Sequence, residues 1–126
     1  MTETKKIFGL SRHKSLKNKK LIDQLFKQGN SLVAYPLRVV WMPADYKQDE
    51  PFLVAFSVPK KKFKRAVDRN RIKRLMRESF RLQQNDMKLP QKTVMMWLYL
   101  DKQLPDFQTV FEKTSELIKL INNKYQ

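Results

Sequence analysis

The stretch Lys60–Arg81 reads KKKFKRAVDRNRIKRLMRESFR and holds eleven Lys/Arg against two acids, Asp68 and Glu78. On a wheel of about 100° per residue, Ile72, Leu75, Met76, Ser79, Phe80 and Leu82 fall in one arc. Asn70, Lys73, Arg74, Arg77 and Arg81 fall in the opposite arc, with Arg69 and Arg71 flanking the two sides. The spacing predicts a helix over 66–83 that buries one face and shows solvent a basic one. Like charges four apart, as in Arg69–Lys73–Arg77–Arg81, repel and weaken an isolated helix. A solvated charged face is the plainer reading of most charged helices. It fits poorly here because nearly every charge has one sign, and such a face is tolerable when a polyanion neutralises it.

Working outward, the first twenty residues carry seven bases and one acid, and the rest of the chain outside these two segments balances to zero. The whole net charge of +15 therefore sits in an N-terminal arm and the Lys60–Arg81 segment. With 126 residues and 41% hydrophobic content, the chain is read as a single domain, 1–126, with an extended basic arm over 1–17. It has no cysteine, which excludes disulfides, zinc ribbons and thiol nucleophiles. Its longest apolar run, Val94–Leu100, is far short of a membrane span, so no membrane is expected. The polar N-terminus lacks the apolar region of a signal peptide, and the cytoplasm is the expected location.

The remaining pattern places elements before and after the basic segment. Asn18 is positioned to cap a short helix with Leu21, Ile22, Leu25 and Phe26 as its stripe and Gly29 as its stop. Residues 32–42 read as one strand, with Leu37, Val39 and Trp41 on one face and Arg38, Val40 and Met42 on the other. Pro36 confines its early part to an edge or a start. Residues 52–58 read as a second strand, apolar on both faces and so central. Residues 93–100 form a third. Pro105 and Asp106 open a last helix with Phe107, Val110, Phe111, Thr114, Leu117, Ile118 and Ile121 on its buried stripe. The order is α-β-β-α-β-α, an α+β two-layer arrangement of a mixed sheet packed with helices.

Little in the chain suggests intrinsic catalysis. His13 is the one histidine, so a two-histidine ribonuclease mechanism is impossible within one chain. The carboxylates are scattered without the spacing of a two-metal nuclease, and two glycines leave no phosphate loop. No cofactor bound by the protein is expected, and no catalytic residue is assigned. The polypeptide reads as a binder whose arginines suit phosphate. Phe26, Trp41, Trp97 and Tyr99 lie on or beside the sheet, where core packing is the plainer role and stacking on unpaired bases the alternative.

Arg69-Asn70-Arg71-Ile72-Lys73-Arg74, preceded by Ala66-Val67 and by Phe56-Ser57-Val58, resembles the signature of the bacterial ribonuclease P protein component. Weaker similarity covers Leu25-Phe26-Lys27-Gln28-Gly29. The resemblance implies a left-handed β-α-β crossover, against the usual hand. It implies an RNA-binding subunit that helps a catalytic RNA, with its Mg²⁺, remove the 5′ leader from precursor tRNA. Arg65, Arg69, Asn70, Arg71, Lys73, Arg74 and Arg77 would meet the catalytic RNA. Phe26, Trp41, Lys60 and Lys61 would meet the leader in a cleft between the first helix and the sheet. The chain departs from the family in having Pro59 after Ser-Val, a longer Lys60–Lys64 loop, and Ile22 where a second aromatic is usual. A structural ribosomal protein, or a general RNA-binding protein, is the alternative.

Overall fold

The structure is a computed structural model and describes residues 12–125. Three helices, α1 (Lys19–Gln28), α2 (Ala66–Gln83) and α3 (Phe107–Lys124), pack on four strands, β1 (Asn30–Ala34), β2 (Leu37–Pro43), β3 (Phe52–Ser57) and β4 (Thr93–Tyr99). The sheet order is β1-β2-β4-β3. β1 runs antiparallel to β2, β2 antiparallel to β4, and β3 parallel to β4. The parallel pair is joined through α2, a β-α-β unit at the sheet's edge.

Four expectations change. The single strand over 32–42 is a hairpin, because the chain reverses at Tyr35-Pro36, a cis peptide, and Ala34 pairs with Leu37. The segment Phe52–Val58 is not central. β3 is an edge strand, and its apolar outer side is covered by the preceding chain: Ser15 bridges Val54, and the Leu16 amide donates to the Val54 carbonyl at 2.9 Å. Residues 15 and 16 are therefore part of the fold rather than of a free arm, and Leu16 is buried; residues 1–11 of the arm lie outside the described residues. Finally, the class is α+β but the layering is threefold, because both faces of the sheet are apolar.

Cross-strand register shows how. Directly opposed residues share a face. Leu32, Val39, Trp97 and Phe56 form one such row, and Asn30, Trp41, Met95 and Val54 the next. This face packs against Ile72, Met76 and Phe80 of α2 and Val110, Leu117, Ile118 and Ile121 of α3. Phe80 sits at its centre, with ring contacts to Phe52, Phe56 and Trp97. The other face carries Val40, Met42, Leu53, Val94 and Met96, which meet Leu16 and Leu25.

The predicted caps form. The Asn18 side chain accepts from the Leu21 amide at 3.2 Å, and Gly29 closes α1 through its amide to the Leu25 carbonyl at 2.8 Å. Gly29 is required by space rather than by backbone angle. A Cβ there would strike the Leu25 carbonyl oxygen and lie 2.9 Å from Val40 Cγ1. α1 thus starts beside the β3 edge, at Leu16, and ends at the β1 edge. Its ten residues span about 15 Å, which matches the roughly 14 Å across four strands. Lying across the sheet in this way, α1 leaves open ground on either side.

Candidate nucleic-acid interface

The basic helix is built as the wheel requires. Ile72, Met76, Ser79, Phe80 and Gln83 are its buried residues. Gln83, rather than Leu82, completes the stripe; it occupies the centre of the arc and satisfies its amide on the Ser79 and Phe111 carbonyls at 3.2 and 3.0 Å. Leu82 is exposed. On the opposite side Asn70, Arg71, Arg74 and Arg77 are exposed and Lys73 is half-buried. The exposed Arg77 lays its guanidinium over the Phe56 ring, with Cζ 5.8 Å from the ring centre, a cation–π contact at the edge of the core. Glu78 pairs with Arg81, which holds its carboxyl below the usual range, first through the hydrogen bond. The outward stripe is left almost purely cationic.

Arg69 differs from its neighbours. Half-buried, it donates through Nη1 to the Phe63 and Lys64 carbonyls at 2.8 and 2.9 Å. It therefore ties α2 to the loop before it. That loop is also held by Phe63, buried against the Tyr99 ring at 5.9 Å, and by Lys62 donating to the Leu100 carbonyl. The longer loop is thus pinned at both ends of its extra segment. Lys60, Lys61, Lys64 and Arg65 remain exposed on it.

On the α1 side of the sheet, one row is only partly covered: Val33, Arg38, Leu98 and Ser57. Val33 is 54% exposed, and Arg38, Leu98 and Ser57 are half-buried. Arg38 donates from Nε to the Ser31 hydroxyl at 2.8 Å, which fixes its planar fork over the sheet. Phe26, 50% exposed, projects from the flank of α1 that faces this row. The chain leaves Ser57 directly into the loop bearing Lys60 and Lys61. With Val33 and Leu98 as the apolar members of the row, the held Arg38, the exposed Phe26 and the exposed Lys60 and Lys61 shortly after Ser57, we read the open ground between α1 and the basic loop as a trough suited to an unpaired strand.

Trp41 does not belong to this trough. Strand alternation puts it on the other face with Leu37 and Val39, where it is 3% exposed and packs on Tyr125 at 4.9 Å between ring centroids. Trp97 and Tyr99 share that buried face. Phe107, expected in the α3 stripe, is partly exposed; the stripe begins at Val110. Sequence reasoning placed Arg38 on the correct face but did not single it out, nor Ser57 and Leu98, because only the register aligns the three. Among the described residues no group of three or more His, Asp or Glu comes together in a way that could hold a metal, and no helix is long and apolar enough to cross a membrane.

Comparison with known proteins agrees with this geometry. The Ribonuclease P family model matches residues 10–122. The chain is 37% identical over 123 residues to the ribonuclease P protein component of Porphyromonas gingivalis, covering 92% of this chain and 89% of that one. It is 40% identical over 88 residues to that of Chlorobaculum tepidum, covering 68% of this chain and 57% of the other. Among solved structures, the RNase P protein from Thermotoga maritima superposes with a TM-score of 0.70 at 25% identity, over 84% of this chain and 96% of that one. The Staphylococcus aureus RNase P protein gives 0.68 at 20% identity, over 86% and 94%, and shares the fold. With its basic α2 stripe, its half-open sheet and matches that run nearly end to end, the chain belongs to the ribonuclease P protein component family, whose members bind RNA in tRNA processing.

Proposed function

We propose that this subunit works by two separate RNA surfaces. The outward stripe of α2, Asn70, Arg71, Lys73, Arg74 and Arg77, with Arg65 beside it, holds the catalytic RNA. The trough of Phe26, Arg38, Lys60 and Lys61 holds the single-stranded 5′ leader of precursor tRNA. The catalytic RNA performs the cleavage with its own Mg²⁺, and the complex acts in the cytoplasm. The observation that carries this reading is the spatial separation of the surfaces: α2 packs on one face of the sheet and the trough opens on the other, so both RNAs can be held at once. A phosphate-binding stripe positions without reading sequence, while stacking and an oriented guanidinium suit an unpaired strand.

The test is reconstitution. Protein rigorously freed of RNA should cleave no precursor tRNA, and adding it to the catalytic RNA at low Mg²⁺ should raise cleavage of leader-bearing substrate. Cleavage by the RNA-free protein, or co-purification with a ribosomal subunit instead of a catalytic RNA, would overturn the reading.

A further inference from the structure

α1 has two flanks, and the trough occupies only one. On the other side a groove of about 760 Å³ runs between the end of the N-terminal arm, α1 and the loop after β2, with Leu53 of the sheet at its floor. Gln24 and Phe26 are two residues apart, about 200° around the helix, with Leu25 between them pointing into the sheet. The groove takes the Gln24 flank, with Lys17, Lys20 and Leu21, and faces Tyr46 and Lys47 across the gap.

Both walls are fixed by bonds of their own. The arm wall is held by Leu16 to Val54 and by Lys14, which donates to Gln84 at 3.0 Å and lies 5.3 Å from the Phe52 ring centre. The loop wall is held by the Tyr46 hydroxyl donating to the Glu50 carbonyl at 2.7 Å, and by Lys92, which donates to the Tyr46 carbonyl at 3.1 Å and covers its ring. The cations that line the groove are not used in this scaffold. Among the described residues, Lys17, Lys20 and Lys47 pair with no carboxylate, and all three are exposed. Asp45 is the one acid on the lining, leaving the lysines in excess. The crest of α1 between groove and trough carries Lys19, Lys20 and Lys27 against Asp23, so the basic surface is continuous over the helix.

We infer that this groove binds the upstream part of a long 5′ leader, after the strand has left the trough and crossed α1. The inference rests on the leader reading above. The occupant is the leader rather than the catalytic RNA, because the groove shares its sheet face with the trough, while the α2 stripe belongs to the opposite layer. Lysines as flexible point charges suit a phosphodiester chain bound without sequence preference.

The test uses the reconstituted complex with precursor tRNAs carrying no leader, a short leader or a progressively longer one. For the unaltered protein, affinity should rise from leaderless to short, and again from short to long. Lys17→Ala/Lys20→Ala/Lys47→Ala should remove only the second rise, leaving melting temperature and assembly with the catalytic RNA unchanged. Its salt slope on the long leader should fall by about 0.7 for each phosphate that the lysines no longer neutralise. The corresponding triple Gln variant keeps the side-chain stems and should behave alike, which guards against a folding defect. Equal losses on short and long leaders, or weakened assembly with the catalytic RNA, would overturn the groove assignment while leaving the trough intact. No difference between leaderless and short-leader tRNA with the unaltered protein would overturn the leader reading itself.

Discussion

Nη1 of Arg69 lies 2.8 Å from the Phe63 carbonyl oxygen and ties the first turn of α2 to the loop that precedes it. Arg71, two residues on, is exposed with no such tie. One basic motif thus contains a residue that shapes the surface and others that only present charge.

The two should separate on substitution. Arg69→Ala removes a charged donor from two carbonyls, and hydrogen bonds to charged groups are worth about 1.5–3 kcal/mol; partial exposure brings the loss below that range, to about 1 kcal/mol. Arg71→Ala should stay within about 0.5 kcal/mol of the parent. Both should weaken assembly with the catalytic RNA. Thermal melts and filter binding on the single variants decide it; equal melting temperatures would show that the Arg69 tie contributes nothing.

Assembly should depend steeply on salt. If the α2 stripe, with Arg65 and the arm bases ahead of Lys14, neutralises on the order of 6–10 phosphates, affinity should fall roughly 10³–10⁵-fold between 50 and 200 mM salt. A titration with a nearly flat slope would count against the stripe as the main contact.

The amphipathic helices, their boundaries and the face of each β2 residue were legible in the sequence because hydrophobic period and capping chemistry are local. The 66–83 helix matches the observed α2, and Asn18 and Gly29 act as read. What was not legible depends on pairing. A reversal at Tyr35-Pro36 interrupts an apolar run without a glycine, so residues 32–42 look like one strand. The apolar outer side of β3 signals a central strand, but Ser15 and Leu16 cover it. The trough needs Val33, Arg38, Leu98 and Ser57 to come level from four strands, which no local pattern encodes.

Gly29→Ala should lower stability and disturb the trough together. The added methyl meets the Leu25 carbonyl and Val40 Cγ1, so α1 must lift from β2; overpacking of this kind costs typically about 1–3 kcal/mol. The measurements are a melting curve and affinity for leader-bearing tRNA. An unchanged melt would mean the helix end yields freely.

Alkaline pH should destabilise the fold through two tyrosines. Burial first of all pushes the Tyr46 and Tyr99 phenols up to about 12 from an ordinary 10.0. Their hydroxyls donate to the Glu50 and Gln103 carbonyls, which only the neutral form can do. A folded pKa above the unfolded one makes the contribution fully present below pH 10 and lost as pH rises from 10 towards 12. Denaturant midpoints measured across that window should fall, and Tyr46→Phe/Tyr99→Phe should flatten the fall. An equally steep loss in the double variant would assign it to other groups.

Phe26 and Trp41 provide the sharpest contrast, since both were read as leader contacts and the structure places them on opposite faces of the sheet. Phe26 is half-exposed on the flank of α1, whereas Trp41 is buried on Tyr125. Truncating a core aromatic costs about 3–5 kcal/mol, while a base stacked on an exposed ring is worth about 1–3 kcal/mol. Trp41→Ala should therefore melt far below the parent and impair binding to every RNA alike. Phe26→Ala should melt close to the parent, assemble normally with the catalytic RNA, and lose affinity for leader-bearing but not leaderless tRNA. If Phe26→Ala instead weakens both tRNAs equally, its ring serves the fold of α1, and the leader must be held by Arg38 and the loop lysines alone.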